Sequence, residues 1–158
     1  MMTRHAIRRA TADDAGSISR LVRRAYSKWI PVVGHEPKPM KADYLRAVDD
    51  HEVWVLDGER GCVAVLELIP GPDHLLVENV AVEPALQGQG LGRRLMHFAE
   101  TEAARRGLDE VRLFTNERFT DDLTFYDRLG YTEFDREPYG DSRLVFLAKR
   151  VGKHSPPP

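Results

Sequence analysis

The spacing of apolar positions changes several times along the chain, and each change marks an element. "HAIRRA" (5–10) reads as a short first strand. Thr11 and Asp14 have the spacing of a capping box, and a helix follows to about Tyr26. The segment "SKWIPVVGHEPKPM" (27–40) holds three prolines and a glycine, which stop that helix and predict an ordered loop. A second short helix is expected over "KADYLRAVDD" (41–50). "EVWVLD" and "CVAVLELIP" flank the turn signal "DGERG" and predict a β-hairpin. "HLLVENVAV" (74–82) is almost wholly apolar, which predicts a central strand buried on both faces.

Beyond Pro84 the period becomes helical. Leu91, Leu95, Phe98, Ala99 and Ala103 share one face with the polar exception Glu102, and Gly107 supplies a stop. "EVRLFT" (110–115) predicts a strand and "TDDLTFYDRLG" (120–130) a helix opened by Thr120 and closed by Gly130. "YTEFDRE" and "RLVFLAKR" complete the set as final strands. The tail "VGKHSPPP" (151–158) is too polar and proline-rich to predict a packed element, so residues 1–150 are expected to form one domain.

Composition narrows the classes. The 158 residues, 42% hydrophobic and 30% charged, suffice for one core. A formal charge of −2 gives no global reason for nucleic acid or an anionic membrane as partner, so any anion site must be local. The sole cysteine, Cys62, fits a reducing compartment. No leader-like apolar region opens the chain and no run approaches a membrane span, which predicts a cytoplasmic protein.

Such a local site is offered by "QGQGLGRR" (87–94), set between a buried strand and a helix start. Backbone N–H groups at a helix N-terminus favour an anion, and glycines let it approach. Arg93 and Arg94 add positive charge where the helix dipole disfavours it. The alternative is a plain tight turn with solvated arginines. No Gly-Lys-Ser or Gly-Lys-Thr occurs, which excludes a P-loop, and a dinucleotide fingerprint starting at Gly88 fails at Arg93.

The stretch "VAVEPALQGQGLGRRLMHFA" resembles the acyl-CoA-binding signature of the GNAT superfamily of N-acetyltransferases, through Gln87, Gly90 and Gly92. "TFYDRLGYTEFDRE" is similar to the family's helix-to-strand segment, through Tyr126, Gly130 and Tyr131. The order of elements agrees from residue 5 to about 150. The resemblance implies a mixed α/β fold: a mostly antiparallel sheet of about six to seven strands, flanked by about four helices and splayed at the acetyl-CoA site. It also implies acetyl transfer from acetyl-CoA to a primary amine by direct attack, without a metal. The backbone N–H groups of Gln87, Gly88, Gln89, Gly90, Leu91, Gly92 and Arg93 would hold the pyrophosphate, Arg93 or Arg94 would reach the nucleotide phosphates, and backbone groups of Val80, Ala81 and Val82 would hold the pantetheine and thioester. Tyr126 would protonate the departing thiolate. Many family members carry a cofactor-contacting asparagine where this chain has Phe119, and Asn116 is the nearby substitute.

For the base, Glu78 is the only ionisable residue inside "LLVENVAV", and strand alternation places it with Val80 and Val82. A structural ion pair with Arg112 is the competing role, and Asn79 is expected to face away and satisfy backbone groups. In the resemblance, the region after the first helix covers the acceptor site. Here it holds Tyr26, Trp29, Ile30, His35, Met40, Asp43 and Tyr44, with aromatic contact area and a carboxylate for a cationic amine; a satellite core is the alternative. A small-molecule amine, a peptide N-terminus and a protein lysine all remain open. So do a non-catalytic acyl-CoA module, a module binding another nucleotide, and a homodimer.

Overall fold

The computed structural model describes residues 6–152. Seven strands, β1 (Ile7–Arg9), β2 (Glu52–Gly58), β3 (Gly61–Pro70), β4 (His74–Val82), β5 (Glu110–Asn116), β6 (Thr132–Tyr139) and β7 (Ser142–Arg150), form a sheet in the order β1-β2-β3-β4-β5-β7-β6. The helices are α1 (Ala15–Tyr26), α2 (Ile30–Val33), α3 (Lys38–Lys41), α4 (Tyr44–Asp50), α5 (Leu91–Arg105) and α6 (Thr120–Arg128). β4 and β5 are parallel, whereas β1/β2, β2/β3, β5/β7 and β6/β7 are antiparallel. This is the expected mixed α/β architecture with a mostly antiparallel sheet. No described helix is long and apolar enough to cross a membrane. The tail reading falls on residues 153–158 for its greater part, outside the described residues.

Two compact units divide the chain: residues up to Leu68 with Asn79–Leu95, and Ile69–Glu78 with the residues from Met96 onward. The first unit grows from α1. Its apolar stripe, Ile18, Leu21, Val22 and Ala25, joins Val53, Val55, Val65 and Ala81 from the sheet and Tyr44 and Ala47 from α4 in one core. Burying each of the larger side chains contributes roughly 1.5–3 kcal/mol. The capping box is present: Thr11 N–H donates to the Asp14 carboxylate at 2.8 Å, and Asp14 N–H to the Thr11 carbonyl at 2.9 Å. It opens a 3-10 turn (Ala12–Asp14) that leads into α1. Arg8 in β1 grips Asp14 through Nη1 and Nη2 and Asp57 through Nε and the same Nη2. Glu67 on β3 is buried and meets His51 Nδ1 at 2.6 Å.

Two expectations change. Residues 27–40 are largely helical turns rather than a loop: a 3-10 turn at Ser27–Trp29, then α2 and α3. Pro31 and Pro39 each stand in the first turn of a short helix, where the missing N–H costs nothing, so these two prolines start helices. Gly34, at φ +82°, closes α2. The second change concerns β4, which is buried on one face only. Leu75, Val77, Asn79 and Ala81 are buried, while Leu76, Glu78, Val80 and Val82 are half-buried.

In the second unit Met96, Ala99 and Ala103 of α5, Val111 and Leu113 of β5, and Val145 and Leu147 of β7 supply buried positions. β6 pairs with β7 and is exposed along its whole length. α6 opens at Thr120 as expected, with Phe119 at its N-cap. The turn before it is set by Asn116, whose side-chain oxygen accepts from Arg118 N–H and whose carbonyl accepts from Phe119 N–H, both at 2.9 Å.

Candidate active site

β4 delivers the chain to the glycine loop. After Val82, Pro84 opens a 3-10 turn (Pro84–Leu86) in which Leu86 N–H donates to Glu83 O at 2.8 Å and Gln87 N–H to Pro84 O at 3.3 Å. The Gln87 side chain turns back and donates to Val82 O at 3.1 Å, fastening the loop to the strand end. Gln87 thus spends both its backbone and its side-chain N–H on the loop itself. Gly88 and Gly90 have φ of +85° and +87°, the left-handed region where a side chain is strained. A Cβ built on either would meet no heavy atom within 4 Å, so the loop frames open space. Gly92 lies inside α5 without a positive φ.

α5 begins at Leu91, and Arg94 N–H donates to Gly90 O at 3.0 Å. The N–H groups of Leu91, Gly92 and Arg93 therefore precede this first helical bond and carry the positive end of the dipole. Arg93 and Arg94 enter no salt bridge among the described residues. Glu83, the acid that precedes the loop, is held by Arg24 at 2.9 Å. Left-handed glycines framing open space, leading N–H groups and two unpaired guanidiniums together suit a phosphate-bearing ligand. Gln89 is exposed on the same loop.

Behind the loop, β4 holds a chain of hydrogen bonds that sequence reading passed over. Tyr26 Oη donates to Asn79 Oδ1 at 2.6 Å, Asn79 Nδ2 to Tyr44 Oη at 3.1 Å, and Tyr44 Oη to Pro39 O at 2.6 Å. Asn79 faces away from Val80 as expected, but two tyrosine hydroxyls, not backbone groups, satisfy it. The available signal was an amide inside an apolar strand; its partners lie too far off in sequence to be read. The structure brings Tyr26 and Tyr44 together on Asn79. Trp29 is buried with the Lys28 ammonium 4.9 Å from its ring centre. Asp43 caps α4, its carboxylate accepting from Arg46 N–H at 3.1 Å.

The second unit carries Glu78, Asn116 and Tyr126. The parallel register of β4 on β5 runs from His74 opposite Glu110 to Val77 opposite Leu113, and Glu78–Val82 and Phe114–Asn116 lie beyond it. Glu78 is half-buried on the Val80 and Val82 face of β4. Arg112 donates to Glu110, two residues away on its own strand. Asn116 is buried, and its amide donates to Ser142 Oγ at 2.9 Å, so both ends of this side chain serve the β5–α6 turn and β7. The Tyr126 ring is buried edge-on against Phe125 and Tyr131, with ring centres 5.1 and 5.9 Å away. Burial, and secondarily the charge of Asp122, holds its phenol well above the ordinary tyrosine range. It stays protonated across working pH. Tyr131 is raised likewise by burial and by Glu100, to which its hydroxyl donates at 2.8 Å. A groove of about 550 Å³ in this unit, lined by Glu110, Thr132, Phe134 and Lys149, includes none of the expected site residues.

The model of an acetyltransferase (GNAT) domain matches residues 49–133. N-alpha-acetyltransferase 80 of Mus musculus is 41% identical over 71 residues, 45% of this chain and 21% of the mouse protein. The mycothiol acetyltransferase of Amycolatopsis mediterranei (strain U-32) is 30% identical over 135 residues, 78% of this chain and 44% of the relative. The chain thus spans less than half the length of these relatives. In fold, it is similar to a PaiA N-acetyltransferase from Thermoplasma acidophilum, solved with coenzyme A. That structure gives a TM-score of 0.78 at 15% identity and covers 94% of this chain and all of that one. The ribosomal-protein-S18-alanine N-acetyltransferase of Escherichia coli gives 0.71 at 18% identity, over 94% and 95%.

Proposed function

The chain belongs to the GNAT acetyltransferase family, and on that premise we propose that it moves an acetyl group from acetyl-CoA to a primary amine by direct attack, with no covalent enzyme intermediate. The observation that carries the reading is the loop at Gly88 and Gly90: left-handed glycines bordering open space, followed by the leading N–H groups of α5 and the unpaired Arg93 and Arg94. These groups would hold the phosphates, and the β4 backbone at Val80, Ala81 and Val82 the pantetheine. Acetyl-CoA, when bound, supplies an activated acyl carbon and a thiol leaving group.

Direct transfer needs a neutral amine and a stabilised thiolate. Glu78, half-buried and the only ionisable residue between Leu75 and Val82 of β4, is the residue assigned to take the amine proton. Tyr126 is assigned to donate at the leaving sulfur. Because its phenol is a weaker acid than ordinary tyrosine, it works as a hydrogen-bond donor whose bond strengthens as charge develops, and the proton is never lost beforehand. Mixing the protein with acetyl-CoA and a panel of amines, while following thiol release and the mass of the amine, tests the proposal. Stoichiometric acetylated amine and thiol are expected; acetyl-CoA binding without thiol release would instead favour a non-catalytic acyl-CoA module.

A further inference from the structure

Tyr126 is held in place without the use of its hydroxyl. Its ring is buried edge-on against Phe125 and Tyr131, while Oη enters no hydrogen bond among the described residues. The direction of that hydroxyl therefore depends on the groups packed beside the ring. Tyr131, one of them, is fastened at both ends. Its N–H donates to Tyr126 O at 3.0 Å, in a turn where Gly130 has φ of +95°. Its Oη donates to Glu100 Oε2 of α5 at 2.8 Å, and Glu100 Oε1 accepts from Lys149 Nζ of β7 at 3.1 Å. The Lys149 ammonium also lies 5.8 Å from the centre of the Tyr131 ring.

Packing alone does not call for this link. A phenylalanine at position 131 would make the same edge contact with Tyr126, and burying a hydroxyl and a carboxylate costs free energy unless both are bonded. Tyr131 is 4% exposed and the Glu100 side chain 15%, so water competes little with the bond between them. A polar chain satisfied in such a place fixes one geometry. Here it joins α5 and β7 to the ring that lies against Tyr126, and a reacting group is held to its working position by neighbours whose own rotamers are locked.

We propose that Tyr131, anchored by Glu100 and Lys149, is a positioning residue that fixes the Tyr126 ring in the orientation from which its hydroxyl reaches the leaving sulfur. The inference rests on the role assigned above to Tyr126 and adds what orients it. Tyr131→Phe is the direct test, because the ring and the N–H bond remain and only the link to Glu100 is lost. Its kcat should fall about tenfold or more with the KM for acetyl-CoA unchanged. The same substitution made in the Tyr126→Phe protein should lower kcat no further. Glu100→Ala, which cuts the link from its other end, should reproduce the fall. Crystal structures of the CoA-loaded proteins should show the Tyr126 ring in one rotamer in the parent and displaced in Tyr131→Phe. An unchanged kcat in Tyr131→Phe, or an equal fall with and without the Tyr126 hydroxyl, overturns the inference and leaves Tyr131 a packing residue. Should Tyr126→Phe turn over like the parent, the acid role falls by itself. The two crystal structures then decide whether Tyr131 orients the ring, and a Tyr126 unmoved in Tyr131→Phe overturns that as well.

Discussion

Tyr26 Oη donates to Asn79 Oδ1 at 2.6 Å, joining the last residue of α1 to β4 across 53 positions of sequence. Asn79 passes the chain on to Tyr44, so one buried amide holds two tyrosines in place. Asn79→Ala leaves both hydroxyls without this partner and should lower stability by about 1–3 kcal/mol. Denaturant unfolding measures it, and an unchanged midpoint would show that the network adds nothing.

The glycines make a separate prediction. At φ +87° an alanine is strained, so Gly90→Ala should cost about 1–2 kcal/mol of stability. Its methyl group also enters the open space that the loop frames, so affinity for CoA should fall by about tenfold or more. Affinity equal to that of the parent, beside reduced stability, would mean that the loop is only a turn.

Tyr126→Phe keeps the buried ring and its edge contacts while removing the hydroxyl. Turnover should fall by about 100-fold with CoA affinity unchanged. Single-turnover kinetics with a saturating amine checks this, and an unaltered chemical step removes Tyr126 from catalysis.

Arg8 and Asp14 give a pH-dependent prediction. The hydrogen bonds from Arg8 hold the Asp14 carboxyl at about 2, below its ordinary 3.8. The folded value is the lower one, so the stabilisation is complete above about pH 4 and is lost as pH falls towards 2. It amounts to no more than about 2 kcal/mol, less the screening of a half-exposed Arg8. Asp14→Asn should be less stable than the parent at pH 7 and converge with it near pH 2. A gap that persists at low pH would assign the loss to packing.

Local chemistry was legible in the sequence and distant pairing was not. The capping box at Thr11 and the limits of β4 follow from neighbours a few residues apart, and the structure keeps them. The prolines of residues 27–40 misled because the ring that breaks a helix interior is favourable in a first turn. The one-sided burial of β4 was hidden by a run of apolar residues, which reads alike for one buried face or two. Asn116 looked available only because its partners, Ser142 and Arg118 N–H, depend on tertiary folding and turn geometry.

A thermal titration with acetyl-CoA, CoA, ATP and NAD asks what the loop at Gly88 and Gly90 holds. At about 100 times its Kd a ligand adds roughly 2.7 kcal/mol, a rise of several degrees in Tm for a chain of this size. Acetyl-CoA and CoA should raise Tm while ATP and NAD do not. Stabilisation by ATP or NAD with no response to either CoA ligand would contradict the assignment.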